Sequence, residues 1–388
     1  MKRAYLIIFL SLLLYTQAYP YDFSEVDAIV ENGIRNRSYP GAQLLIGTNN
    51  EILYSKSYGY YTYDQSTPVT ENSIFDLASL TKVIATTSAI MKLYDQGKLS
   101  LDDRVAYYLP DFAVNGKEWI TVRNLLLHNS GLKAWIPFYT TCKNKDDVIK
   151  TICDQELKYE PGTSVEYSDL NAILLGVIVE KVTDMGLDEY CRQEIFEPLG
   201  MSSTTFNPKG KLNDLALPTE YDNNWRGRQL KGEVHDESAA VMGGVSGNAG
   251  LFSNTEDIYK LVSTLMNEGR YYNSYSAGLK IESFVYEGTV DLFLEKPNDV
   301  FYYNTRLLGW DSKPEPNSYG RPCGDMISDN CFGHTGYTGT SVWCDRDRNL
   351  VIIFLTNRVY PSRTAKGIWQ VRPELHDKII ELYTNQQN

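Results

Sequence analysis

Strand-like and helix-like patterns are segregated along this chain, and that segregation limits its folds more than any other feature. Gly41 to Tyr63 carries AQLLIG and EILYSKSYGYYTY around an Asn49-Asn50 turn, which reads as a hairpin with one apolar face. Near the other end, TSVWCD and NLVIIFLTN form a second strand pair, joined by Asp345-Arg346-Asp347-Arg348. The middle is helical in period: TVRNLLLHNSG, DDVIKTICDQEL, DLNAILLGVIVEKVTDMG and LDEYCRQEIFEPLGM. Helices are also predicted over Glu25 to Arg35, over Ser253 to Gly269 with a Ser253/Glu256 capping box, and over Thr364 to Tyr383. Strands at both ends must meet to satisfy their backbones. The expected architecture is therefore α/β (α+β): one antiparallel sheet built from both termini, flanked by helices, with an all-α part inserted. The boundaries expected are a single domain over 19–388, its α/β part about 19–95 and 255–388 and its all-α part about 96–254.

Met1 to Ala18 reads as a secretory leader. Lys2 and Arg3 are its basic start, Ala4 to Tyr15 is apolar but too short to span a bilayer, and Thr16-Gln17-Ala18 supplies small residues at the cut. The chain is thus expected to be secreted or periplasmic, with no stable membrane anchor. A net charge of −12 without a basic stripe argues against nucleic acid and anionic membranes as partners. Export permits disulfides, and the spacing of Cys142/Cys153 and of Cys323/Cys331 suggests two bridges, with Cys191 and Cys344 left as buried thiols. Asn36-Arg37-Ser38 is a glycosylation sequence, usable only in a eukaryotic secretory route. His128, His235, His334 and His376 are scattered and no CxxC occurs, so neither a zinc site nor any other cofactor is expected.

The chemistry concentrates at Asp76 to Leu99, DLASLTKVIATTSAIMKLYDQGKL. Val83, Ile84, Ala85, Ile90, Met91 and Leu93 recur at helical spacing and Gly97 ends the run. Ser79 and Lys82, three apart, share one face at the helix mouth. A serine hydroxyl needs a neighbouring base to become a nucleophile, and lysine in an S-x-x-K arrangement supplies one. Ser130-Gly131-Leu132-Lys133 matches the same string, but Gly131 and Pro137 place it in a loop.

Two further segments complete a proton relay. Tyr167, in PGTSVEYSDLN, stands on a polar loop before an apolar helix, and a cationic Lys82 beside it would lower its pKa. Tyr-x-Asn strings also occur at Tyr221, Tyr271, Tyr302 and Tyr383, because the chain is rich in tyrosine. His334-Thr335-Gly336-Tyr337-Thr338-Gly339-Thr340 enters the strand TSVWCD, where its glycines let a substrate approach the backbone. The N–H of Tyr337 would join that of Ser79 as oxyanion donors. The Gly-rich Met242 to Gly250 reads as a tight turn near the cleft. His235 is expected to be structural or on the substrate side, His128 to cap or pack within the helical region, and Tyr58, Tyr60, Tyr61 and Tyr63 to form strand surface.

FDLASLTK, PGTSVEYSDLN and HTGYTGTSVW, in that order, resemble the three signatures of the serine β-lactamase-related family: S-x-x-K, Y-x-N and a [KH]-[TS]-G strand. The linking stretches LLLHNSGL, IFEPLGM, MGGVSGNAGLFS and VIIFLTNR are similar to family text, so the resemblance spans about Val26 to Tyr383. It implies a β-lactamase/transpeptidase-like fold. It also implies that Ser79 is acylated, that Lys82 is its proton partner and that Tyr167 is the general base. His334 would assist the relay or bind a substrate carboxylate. Asp169 stands where penicillin-recognising members have Asn; an ionised carboxylate cannot donate to an acyl-amide carbonyl, and is expected instead to pair with Lys82. His334 in place of Lys gives a cation only on acidification. The function expected is a serine hydrolase of the D,D-carboxypeptidase or esterase type, acting on a small-molecule or peptide acyl donor. A β-lactamase and a non-catalytic penicillin-binding-like protein are the alternatives.

Overall fold

The computed structural model describes residues 21–273, 280–297, 305–314 and 321–387. The leader expected at Met1 to Ala18 lies outside them. Five strands form the central antiparallel sheet: β1 (Gly41–Gly47), β2 (Ile52–Gly59), β3 (Cys331–Thr335), β4 (Ser341–Asp345) and β5 (Leu350–Thr356), in the order β3-β4-β5-β1-β2. β1 pairs with β5 from the far end of the chain, Leu44 opposite Phe354 and Leu45 opposite Ile353. That register joins the two termini, as the strand distribution requires.

The expected one-sided hairpin is a two-sided strand. Every residue of β1 is buried, because β5 covers its free edge and helices cover both faces. The period of two sorts the side chains between two cores. Leu44, Ile46, Ile352 and Phe354 pack with Val26 and Val30 of the helix Ser24–Arg35 and with Leu375, Ile379 and Ile380 of the C-terminal helix Ile368–Asn385. Leu45, Val351, Ile353 and Leu355 face the second core, with Ile258, Leu261 and Val262 of the helix Thr255–Met266 and Leu80, Val83 and Ile84 below Ser79. Each fully buried aliphatic side chain contributes about 1.5–3 kcal/mol, so a one-residue slip in β1 would reverse every such contact.

Several expectations change. The stretch 96–254 is not wholly helical. Pro218–Asp222 and Arg228–Lys231 pair as a small hairpin, whose turn is held by Asp222 accepting from the N–H groups of Asn224, Trp225 and Arg226. Leu251–Ser253 lies between Phe75–Asp76 and Thr205–Phe206 in a three-stranded sheet. These strands are too short and polar to show a period. Because Ser253 pairs with Phe75, the next helix is capped by Asn254, which accepts from Asp257 N–H at 2.9 Å. The C-terminal helix starts at Ile368, not Thr364. Tyr58 and Tyr61 are buried, their hydroxyls donating to Asp27 (2.6 Å) and to the Leu215 carbonyl (2.9 Å). The expected bridges are absent: all six cysteines are buried free thiols, with the Cys142 sulfur against the Thr151 hydroxyl at 3.4 Å. Among the described residues no helix is long and apolar enough to cross a membrane.

Candidate active site

The turn Asp76–Leu80 delivers Ser79. Leu80, Thr81 and Lys82 N–H groups close tight bonds onto the carbonyls of Leu77, Ala78 and Ser79, at 3.1, 3.0 and 3.0 Å. Ala78 is forced to φ +46°, an unfavourable conformation for a residue with a Cβ and a form of strain found at functional sites. The buried Asp76 carboxylate holds this turn by accepting from Ala78 N–H (2.8 Å) and His235 N–H (2.7 Å). The helix continues with a widened π segment, Lys82–Thr87, before the α-helix Ser88–Asp95. Ser79 stays half-buried at its mouth while Lys82 is 3% exposed.

Lys82 Nζ uses its three protons fully. It donates to Ser79 Oγ at 3.0 Å, to the Asn248 carbonyl at 2.9 Å and to Asp169 Oδ1 at 2.7 Å. Burial alone would lower the Lys82 pKa; the carboxylate of Asp169, with Tyr167, outweighs it and holds the ammonium above its ordinary value. The expected pairing of Asp169 with Lys82 is therefore present. The expectation for Tyr167 is overturned. Its pKa is raised, because burial of the phenol dominates and Asp169 adds to it, while Lys82 pulls the other way and loses. At rest this cluster holds a neutral phenol and a charged ammonium.

Tyr167 is enclosed on all sides. Lys82 Nζ lies 5.0 Å and the Arg306 guanidinium carbon 4.9 Å from its ring centroid, and the rings of His128 and His334 stand 4.8 and 5.8 Å away. Its hydroxyl is buried, with Lys82 and Ser79 as the side chains that reach it. His128 does more than pack within the helical region. Its Nδ1 accepts from Ser168 N–H at 3.0 Å and lies 3.2 Å from the Asn171 amide, clamping the loop that carries Tyr167.

β3 and its turn form the opposite wall. Thr338 and Thr340 hydroxyls donate to the carbonyls of Asp76 (2.7 Å) and Leu77 (3.0 Å), tying the Gly336–Thr340 turn to the residues just before Ser79. A Cβ on Gly336 would sit 2.1 Å from Thr340 Oγ1 and 2.3 Å from the Leu77 carbonyl, so only glycine allows this approach. Among the described residues neither Ser79 N–H nor Tyr337 N–H donates to a protein acceptor. His334 is 3% exposed, with Nδ1 2.8 Å from the Thr335 carbonyl and Nε2 4.0 Å from Asp311. Burial lowers its pKa to about 4, Asp311 opposing and Arg306 and Lys82 assisting. His334 is thus a neutral ring near neutral pH and supplies no cation on mild acidification, contrary to expectation.

Two half-clefts meet at Ser79, Tyr167 and Tyr337. One, about 310 Å³, is cationic, with Arg306, Arg358 and Arg372 against the single carboxylate of Asp311. The other, about 370 Å³, holds Asp169, Asp236 and Glu237 with Trp135 and Tyr139. Sequence reasoning missed Arg306, Asp311, Asp76 and Asn248. Asp76 and Asn248 sit inside quoted motifs and could have been weighed there. Arg306 had no local signal: it reaches the site through an isolated bridge with Asp311, which itself extends the edge of β3 at Gly333. Among the described residues the competing strings are excluded by geometry. Ser130 Oγ lies 2.6 Å from Asn171, while Lys133 is exposed and bonds Gln155. Tyr302 lies outside the described residues, and Tyr221, Tyr271 and Tyr383 bond Gly227, Glu282 and Arg348.

Comparisons with known proteins place nearly the whole chain beside a known family. The family model described as Beta-lactamase matches residues 26–376. A protein of Escherichia coli (strain K12) named "Putative D-alanyl-D-alanine carboxypeptidase" is 36% identical over 355 residues, covering 82% of this chain and 79% of the relative. An N-acetylmuramyl-L-alanine amidase of Bacillus subtilis (strain 168) is 36% identical over 372 residues, covering 86% and 80%. Among solved structures, EstCE1, a hydrolase with promiscuous acyltransferase activity, superposes with a TM-score of 0.71 at 19% identity, over 92% of this chain and 97% of that one. A class C beta-lactamase does so at 0.70 and 19%, over 91% and 94%. The two structural likenesses speak to fold alone.

Proposed function

The chain belongs to the beta-lactamase family, and from that premise we propose that it is an exported serine hydrolase that forms an acyl-enzyme at Ser79 and passes the acyl group to water. The single observation that carries this reading is Ser79 Oγ at 3.0 Å from a buried Lys82 Nζ, facing two uncommitted backbone N–H groups. Those N–H groups, on Ser79 and Tyr337, would stabilise the oxyanion as it develops; one such donor contributes about 10²–10³ in kcat.

The resting protonation states fix the direction of the relay. Lys82 and Tyr167 both hold their protons. As Ser79 Oγ attacks the carbonyl carbon, its proton moves to Nζ while Nζ passes one to Asp169 Oδ1, so the ammonium is never lost. Collapse of the tetrahedral adduct breaks the bond to the leaving atom, which takes the Tyr167 proton. The phenolate is refilled from Lys82, which recovers its own from Asp169. Water then enters, and the steps run in reverse to release the acid. Tyr167 thus acts as acid to the leaving group and as base to water.

The cationic half-cleft suits a leaving group that ends in a carboxylate, received by Arg306 and the Thr335 hydroxyl rather than by a neutral His334. This favours a D,D-carboxypeptidase-like peptidase, with esterase activity toward activated esters. Efficient β-lactam hydrolysis is not proposed, because Asp169, engaged with Lys82, offers no donor to an acyl-amide carbonyl. The test is mass spectrometry after treatment with a fluorophosphonate, followed by a panel of D-Ala-D-Ala peptide, nitrocefin and p-nitrophenyl esters. An adduct on Ser79, and turnover lost in Ser79→Ala, is expected. A folded protein that stays unlabelled refutes the proposal.

A further inference from the structure

The second half-cleft has a composition that the relay does not explain. In its lining Trp135 is 44% exposed and Tyr337 49%, and Trp225, 40% exposed, stands next to the lining residues Asn224 and Tyr139, although a chain of this size has core enough to hide such rings. Tyr139 and Trp225 lie with ring centroids 5.5 Å apart, and Tyr337 is stacked on His235 at 5.7 Å and 27°. The rings are therefore braced by neighbours and held open to solvent. Trp135 is fixed close to the chemistry: Asp169 N–H donates to the Ala134 carbonyl at 2.9 Å, and Ser168 Oγ to that of Lys133 at 2.7 Å. The same lining holds Asn224, Asp236 and Glu237, with Arg363 paired to Glu237 at 2.9 Å. The lining contains no aliphatic side chain larger than alanine.

That last fact selects the occupant. A subsite for an apolar acyl chain would be lined with leucine, isoleucine or valine and closed to water. Aromatic faces interleaved with carboxylates and an amide suit a ligand with C–H faces and hydroxyls on the same ring. The negative ring face attracts the C–H side, and the carboxylates and amide accept or exchange hydrogen bonds with the rim. We propose that this half-cleft is a saccharide subsite, taking a pyranose carried on the acyl side of the scissile bond. The inference rests on the reading above, in which the cationic half receives the leaving group and leaves this half to the acyl group.

Two measurements separate this proposal from that reading. The first compares p-nitrophenyl esters whose acyl group bears either an N-acetylglucosaminyl ring or a cyclohexyl ring of similar size. The sugar-bearing ester should be preferred in kcat/KM. Trp135→Ala should reduce that preference about tenfold, through KM rather than kcat, as expected for loss of one aromatic contact. Trp135→Phe should restore most of it. Equal use of both esters, or a preference for the cyclohexyl ring, overturns the proposal. The second measures diacetylchitobiose binding to Ser79→Ala by tryptophan fluorescence and calorimetry, which needs no turnover. Binding that is lost on adding Trp135→Ala supports the subsite, and no binding at millimolar sugar overturns it. Fluorophosphonate labelling of Ser79 reports on the hydrolase reading independently of either result.

Discussion

Removing the Asp169 charge tests the electrostatic core of the site. Lys82 and Asp169 form an ion pair at 2.7 Å, with side-chain exposures of 4% and 19%. Asp169→Asn keeps the size and deletes the counter-charge, which at a buried pair costs about 3–5 kcal/mol. Unfolding entropy of about 2.1 cal/mol/K per residue gives roughly 0.8 kcal/mol/K for a chain of 388 residues, so Tm should fall by about 4–6 °C. The loss should depend on pH. In the native protein the Lys82 pKa is raised, so its contribution is complete below the unfolded lysine value and fades only as pH rises through the higher folded value. In Asp169→Asn, burial acts unopposed by the carboxylate and depresses the folded pKa. The folded state then binds fewer protons than the unfolded one, and stability should rise with pH up to the unfolded lysine pKa. Thermal denaturation of both proteins at pH 6, 7.5 and 9 would show the deficit shrinking as pH increases. The kcat/KM profile with an activated ester should gain a limb that rises with pH, as a deprotonated Lys82 becomes the base. A variant as stable as the parent at pH 6, or a deficit that is flat across the range, would refute this account of Lys82.

Other perturbations probe other parts of the site. Gly336→Ala should lower kcat by about 10²-fold, since a Cβ 2.3 Å from the Leu77 carbonyl must push Tyr337 N–H out of place; steady-state kinetics with near-normal labelling of Ser79 by a small phosphonate would separate this from misfolding. Arg306→Gln should raise KM for carboxylate-terminated peptides and leave neutral esters little changed, so an equal effect on both would remove the proposed leaving-group role. His376, like His334, is buried with its pKa lowered to about 4, by burial foremost. Each therefore lowers stability as pH falls from 6.5 towards 4, by up to about 3 kcal/mol. His376→Gln should flatten that slope in acid denaturation, and an unchanged slope would exclude it as a contributor.

The strand patterns at both ends and the helical middle were enough to require a sheet closed from the two termini, because strand backbones must find partners wherever the chain places them. The order of S-x-x-K, the Tyr167 loop and the HTG strand likewise singled out Ser79, Lys82, Tyr167, Tyr337 and Gly336, which the fold brings to one cleft. The short strands near Leu251 and Pro218 were hidden because two to five residues carry no readable period. What tertiary structure alone decided is electrostatic. Whether Tyr167 gains or loses acidity depends on how completely its phenol is desolvated, which is a sum over neighbours distant in sequence. The same burial makes His334 neutral and leaves Arg306 as the cation proposed to meet a carboxylate; it reaches the cleft through a bridge that no local pattern announces. Residue identity sets which protons can move. Only the packing around them sets where those protons rest.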